Sequence, residues 1–278
     1  MYDTNDWVLK GRLFIEGKVV LKSDLHIGAD LLDLGAGREE SVFGLPDNPV
    51  VRDCFGNPFI PGSTLRGNLR TAADFLYHRE GLSRLAREAL QRWKSEEGRP
   101  AGQDRPRSEG KNFQPPCEVE DCWVCRVFGR ASNARYREPT RLRVEDAHLL
   151  DGAGDGAAVS VRTENAIHRL LQMANPRRSE YVPRGAVFGL RLVYSVYRQD
   201  DLDMGVPLVL ECLHHVEDAG IGGGRNRGAG SVEFRDLSLR WKSAEDYRRG
   251  EDGKVVLSAA GVRDLLRQYP QKKGEIRW

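Results

Sequence analysis

Apolar residues recur along the chain with two distinct periods. From 7 to 21, "WVLKGRLFIEGKVVL" alternates apolar and polar positions, the pattern of a long strand or hairpin with one buried face. The same period returns at 140–150 ("TRLRVEDAHLL"), more strongly at 186–198 ("AVFGLRLVYSVYR"), and again in "SVEFRDLSLRW". Between these stretches the period lengthens. In "STLRGNLRTAADFLYHRE", Leu65, Leu69, Ala72, Ala73 and Leu76 line one face of a helix, with Ser63 as its natural N-cap. "VPLVLECLHHVEDAG" predicts a second long helix, with Pro207 near its start and Gly220 as its stop. Further helices are expected over 82–97 and, in short form, around "SAAGVRDLLRQY"; "VVRDCFGNPFIPG" predicts a short hairpin turning at "FGNP".

The resulting order is strand, helix, strands, helix, strand, with a large insert after the first helix. It predicts an α+β fold on a sheet of the split β-α-β kind. Residues 98–116 are polar and rich in Gly and Pro, so they punctuate the insert as a mobile or extended stretch. No internal repeat and no strong boundary divide the chain. We expect one domain over 1–242 that includes the insert 79–135, then a charged extension over 243–278 with one short helix.

Composition narrows the class. Of 278 residues, 40% are hydrophobic, ample for a packed core. No apolar run reaches the roughly 18 residues that a membrane span needs, and "MYDTNDWVLK" lacks the basic-then-apolar pattern of a signal peptide. A cytoplasmic protein without membrane contact is expected. Three of the five cysteines fall between 117 and 125, which suggests a metal site in a reducing compartment and not a disulfide framework.

The net charge of +2 says little, but 34 of the 43 basic residues are arginine, whose planar fork suits phosphate and stacks on bases. A GC-rich or thermophilic genome would also favour arginine. Distribution argues for function: 126–143 holds six arginines against Glu138, and 162–191 holds six against Glu164 and Glu180. Basic charge is therefore local, as on a surface that binds a polyanion.

"GIGGGRNRGAG" (220–230) follows a helix and precedes a strand, the reverse of a dinucleotide-binding loop, and Arg225 and Arg227 stand where a third glycine would be needed. Two readings remain. One is a flexible helix-to-strand turn. The other is a backbone-led contact between an extended phosphate chain and Gly223, Gly224, Arg225 and Arg227.

"FIPGSTLRGNLR" (59–70) together with "GIGGGRNRGAGSVEF" (220–234) resembles the RAMP superfamily of CRISPR-associated proteins. "LHIGADLL" (25–32), "GLPDNPVVRD" (44–53) and "VRTENAIHRLLQMANPRRSEYVPRGAVF" (161–188) look like the backbone subunit of type III CRISPR effector complexes. The resemblance implies a modified RRM-like (ferredoxin-like) core with a β-hairpin thumb and a zinc-binding insert. It implies a subunit that stacks with copies of itself along a guide RNA, beside other type III effector subunits. The thumb would displace one nucleotide pair of the guide–target duplex, and target RNA would be cut beside it. The family's cleavage aspartate, in a Gly-x-x-Asp-x-Pro-Val loop, falls on Asp47.

RNA cleavage of this kind needs geometry more than a protein nucleophile, because the ribose 2′-OH can attack its own phosphate once aligned. A carboxylate could accept the proton or hold a divalent cation such as magnesium. Asp47 lies between Pro46 and Pro49 on a loop stiffened by both; an Asx-turn is the plain alternative. In the thumb, 162–184, Arg162, Arg169, Arg177 and Arg178 would hold phosphates while Met173 and its apolar neighbours wedge between bases. An ordinary amphipathic hairpin is the competing reading. Family members commonly carry aspartate where this chain has His168, which puts the bracing of the thumb in question. His26 matches a guide-contacting loop or is a buried, hydrogen-bonded histidine. Ser63, Arg66 and Arg70 either face the guide or form a solvated helix surface.

Cys117, Cys122 and Cys125 are spaced C-x₄-C-x₂-C, and C-x₂-C offers two thiolates to one tetrahedral ion. Similar clusters before "FG" occur in relatives and imply a structural zinc, with His78 as our choice of fourth ligand. Redox or buried thiols are the alternative. A non-catalytic scaffold serving a partner nuclease remains the competing function. A guide-processing endonuclease is disfavoured, since that class uses two glycine-rich loops.

Overall fold

The computed structural model describes residues 7–29, 47–77, 122–130, 138–150, 159–167, 170 and 174–278. Nine strands can be traced among them. β1 (Gly11–Leu21) is a single long strand and lies at the centre of a five-stranded antiparallel sheet. Its alternating pattern buries Leu13, Ile15, Val19 and Leu21 on one face. β7 (Val187–Val196) and β8 (Val232–Ser243) flank β1, β3 (Leu142–Val144) lies outside β7, and β9 (Lys254–Gly261) outside β8.

Helices α1 (Gly62–Tyr77) and α3 (Val206–Ala219) cross over one face of this sheet. Without β9, the order is that of the split β-α-β arrangement expected from the sequence. Leu65, Leu69, Ala72 and Ala73 of α1 are buried as predicted, and Leu76 is exposed. The stretch read as one strand at 140–150 divides: β3 joins the main sheet, while β4 (Ala147–His148) pairs with β2 (Phe59–Ile60). A separate ribbon is formed by β5 (Ser160–Ile167) and β6 (Ala174–Tyr181). Short helix α2 (Trp123–Phe128) packs against α1; the rest of the insert 79–135, including the helix expected over 82–97, lies outside the described residues apart from 122–130.

The segment after 243 differs from its expected form as an extension. After α4 (Ala244–Arg249), "SAAG" is the end of β9 and not part of a helix; α5 (Val262–Lys272) follows and packs on β9 and α3. Val256, Leu257, Val262, Leu265, Tyr269 and Ile276 join the main core. These buried residues are spaced among many exposed charged ones, and this hid an amphipathic edge strand and helix from a reading by composition. No helix among the described residues is long and apolar enough to cross a membrane.

Candidate nucleic-acid interface

Because β1 is antiparallel to both β7 and β8, the end of β1 and the starts of its neighbours meet at one end of the sheet. Four segments converge there: the loop after β1, the loop from Asp47 to Asp53, the root of the β5–β6 ribbon, and the glycine loop 220–230.

The glycine loop is bonded to the loop after β1. Gly223 N–H donates to the His26 carbonyl (2.8 Å), Gly230 N–H to the Asp24 carbonyl (2.8 Å), and Lys22 N–H to the Ser231 carbonyl (2.9 Å). Gly222 has φ +76°, and a Cβ there would stand 2.4 Å from the His26 carbonyl oxygen, so only glycine permits this approach. Arg225 donates to Asn68 Oδ1 on α1 (3.3 Å) and to the Gly220 carbonyl (3.4 Å). Arg227 is exposed and pairs with Glu164 of the ribbon at 3.5 Å. The loop is thus a braced turn that also presents backbone and an arginine to solvent.

His26 is half-buried. Its Nδ1 lies 2.7 Å from the Glu180 carbonyl, which can only accept, so Nδ1 carries the hydrogen. The neutral ring then has Nε2 as an acceptor. The bonded-histidine alternative describes one ring nitrogen, and the other keeps its chemistry.

The ribbon's root is clamped on both sides. Asn48 runs parallel to Ser179, accepting from Glu180 N–H (2.9 Å) and donating to the Arg178 carbonyl (3.1 Å). Asp47, exposed, accepts the Arg178 N–H on Oδ2 at 2.7 Å. Its bond therefore runs to the ribbon and not to its own loop, as an Asx-turn would. The Glu180 carboxylate accepts from Val50 N–H (3.0 Å) and pairs with Arg52 (3.3 Å). On the other side, Asp24 binds the Arg162 side chain and the Arg184 backbone. Tyr181 donates to Glu164 at 2.5 Å. Burial, then that carboxylate, pushes the Tyr181 hydroxyl above its ordinary pKa and keeps the donor protonated.

The pattern shared by the RAMP superfamily matches residues 18–233. The chain belongs to that superfamily. Two curated relatives carry the name CRISPR system Cms endoribonuclease Csm3. That of Methanocaldococcus jannaschii is 29% identical over 251 residues, covering 88% of each chain. That of Methanothermobacter thermautotrophicus is 29% identical over 264 residues, covering 87% of this chain and 91% of the relative. Among solved structures, a chain of the Csm3–Csm4 subcomplex in the type III-A CRISPR-Cas interference complex superposes with TM-score 0.58 at 23% identity, covering 95% of this chain and 97% of its own. The Methanopyrus kandleri Csm3 crystal structure gives TM-score 0.55 at 21% identity, with 98% and 99% covered. At these identities the structural likeness speaks for the fold.

Several arginines of this RAMP chain are engaged inside the protein. Arg66 binds the Phe128 carbonyl and Arg70 the Gly129 carbonyl (3.0 Å), so both cap the C-terminal end of α2. Burial, then Arg70, lowers the Arg66 pKa from its ordinary value, without threatening a guanidinium's charge. The basic stretch 126–143 is not a surface as a whole. Arg126 and Arg141 sit 3.0 and 3.1 Å from Glu138, and Arg141 also 3.3 Å from Asp201, in a buried network that the lone acid gathers. Arg162 is held by Asp24. Among the described residues, the guanidinium groups of Arg177 and Arg178 meet no carboxylate and are exposed.

Ser63 does not cap α1, which begins one residue earlier at Gly62. Pro61 offers no side-chain acceptor, and Asp146 supplies one instead, taking Gly62 N–H at 2.7 Å. Ser63 remains exposed in the first turn, and the carboxylate reduces what that helix end offers an anion.

Cys122 and Cys125 are buried at the start of α2, on its N-cap and first turn. Cys117, His78, Arg169, Met173 and His168 lie outside the described residues, and among those described no group of three or more potential metal ligands occurs. Asp24, Glu164, Glu180 and Tyr181 were not foreseen as site residues. Glu164, Glu180 and Tyr181 lie within the thumb segment 162–184, but nothing in the text links Asp24 to Arg162, 138 positions away.

Proposed function

We propose that this chain is the backbone subunit of a type III CRISPR effector complex, binding guide RNA and cutting complementary target RNA at regular intervals. The near full-length likeness to proteins named Csm3 endoribonuclease supports the class. The observation that carries the chemistry is the Asp47–Arg178 bond, which ties an exposed carboxylate to the root of an exposed hairpin. Copies would line up along one guide in the cytoplasm, with other type III subunits at the ends.

In this reading the β5–β6 ribbon is the thumb. It pries a nucleotide out of the stacked duplex, and the freed backbone can bring its 2′-OH into line with the adjacent phosphate. Arg177 and Arg178 hold phosphates across the opening. Asp47, fixed at the thumb's root, accepts the proton of the attacking hydroxyl; as the 2′-oxygen bonds to phosphorus, the bond from phosphorus to the 5′-oxygen breaks, leaving a 2′,3′-cyclic phosphate and a 5′-hydroxyl protonated from solvent. One carboxylate is within what magnesium uses when phosphate supplies further oxygens, so Asp47 is also the residue that would hold a divalent cation, whose charge would offset that of the phosphate. His26 Nε2 and the glycine-loop backbone line the guide side. The RRM-like core acts as the platform that holds the four segments together.

The test is Asp47→Ala in a purified, guide-loaded complex. Assembly and target binding should persist while cleavage falls by at least about 100-fold. Unchanged cutting at every site would leave the chain a scaffold for a partner nuclease.

We also propose a structural zinc. Cys122, on the N-cap of α2, and Cys125, in its first turn, would hold it with Cys117 and His78. Cys122→Ser should release about one equivalent of zinc per chain and open the insert to protease near 98–116; unaltered zinc content would refute the ligand set.

A further inference from the structure

Asp24 is an acid where an RNA-binding surface favours bases. It follows β1 directly, and its side chain is only 13% exposed. Three elements meet on it. Oδ1 accepts the backbone N–H of Arg184, between the ribbon and β7, at 2.8 Å. Oδ2 pairs with the guanidinium of Arg162 on β5. Its carbonyl accepts Gly230 N–H of the glycine loop at 2.8 Å. Arg162 is itself oriented, lying 5.1 Å from the centroid of the Tyr181 ring. Beside this hub, Leu25 and Val182 exchange backbone bonds at 2.8 Å, so the carboxylate sits where the ribbon leaves the core.

A carboxylate near a phosphate path repels the ligand unless its charge is neutralised and used for geometry. Here both oxygens are occupied. The ion pair that joins the ribbon directly to the glycine loop, Arg227–Glu164, is longer at 3.5 Å and more exposed, hence weaker than Asp24–Arg162. We propose that Asp24 is a positioning residue: it sets the angle of the β5–β6 ribbon against the glycine loop, and so decides which nucleotide is displaced. This rests on the thumb reading above. Asp24 touches no reacting atom in it; it acts through Arg162 and Arg184.

Two measurements test the assignment on the full chain. The first needs no RNA: amide hydrogen exchange in the purified protein. Asp24→Ala should speed exchange at Arg184 and along 160–181 by about tenfold or more. Asp24→Asn keeps an acceptor for Arg184 but loses the ion pair, so it should loosen β5 while sparing Arg184. The second uses guide- and target-loaded complexes carrying Asp47→Ala, so that the result does not depend on cutting. A ribose-acylating reagent should mark displaced nucleotides as sharp, evenly spaced peaks when Asp24 is present. With Asp24→Asn the peaks should spread onto neighbouring nucleotides, with target affinity within about threefold, less than the loss of a phosphate contact would cause. A misfolded variant would lose affinity and not register. Unchanged exchange, or loosened exchange with the peaks still sharp, overturns the positioning role. Absence of periodic peaks in the complex that retains Asp24 would instead overturn the thumb reading itself.

Discussion

Arginine is abundant in this chain, and its members divide into two populations that composition cannot separate. The guanidinium groups of Arg66, Arg70, Arg126, Arg141 and Arg162 have protein partners; those of Arg177 and Arg178 meet no carboxylate among the described residues. The division makes a contrast. Arg177→Ala and Arg178→Ala should each lower the salt dependence of RNA binding, the slope of log affinity against log salt, by roughly 0.7. Arg66→Ala should leave that slope unchanged and cost about 1–2 kcal/mol of folding stability in urea titration, since it removes a charge-assisted cap on α2. Sequence reasoning could find the basic segments but not sort them, because the sorting depends on Glu138, Asp201 and Asp24, which meet their partners only in three dimensions. Asp47 could be singled out because a motif carries it; that its carboxylate bonds the Arg178 backbone could not be read, since backbone donors leave no letter in the text.

At the level of elements, strands and helices with one buried face were read well, and junctions were read poorly. The periods of β1, β7, β8, α1 and α3 are set by burial on a single side, and such patterns survive translation into letters. The start of α1 differs from the expected one because Ser63 has the right chemistry but lies two residues past the cap position at Pro61, while Asp146 acts from a distant segment. Asp146→Ala should therefore cost about 0.5–2 kcal/mol and Ser63→Ala close to nothing, measured by thermal melting of the isolated chain. The split of 140–150 into β3 and β4 follows from the same contact: Gly62 packs so closely on the turn between them that a Cβ would stand 2.5 Å from the Val144 carbonyl oxygen.

For the whole molecule, the segment after 243 is the main surprise. Beyond its buried side chains, Tyr269 donates to the Leu202 carbonyl at 2.9 Å, Trp241 Nε1 to the Arg277 carbonyl at 3.1 Å, and Lys273 pairs with Asp203 at 2.6 Å. Burial of its apolar side chains contributes on the order of 10 kcal/mol, comparable to the total stability of a typical domain. Truncation after Ser243 should give a chain that aggregates or loses its near-UV circular dichroism; a folded, monodisperse product would show the segment to be an appendage after all. The five-strand sheet thus carries the segment after 243 along one edge and the four segments of the candidate interface at one end.

The β5–β6 ribbon is gripped at its root and carries Leu170 at its far end, 88% exposed. Among the described residues no third strand joins it, and two strands alone are marginal, so the ribbon behaves as a cantilever whose rigidity comes from its clamp. Eight residues of extended chain make a lever arm of ~25 Å. A side load at the tip would arrive at the clamp as torque, multiplied by that length, and a small rotation there would sweep the tip across several ångströms.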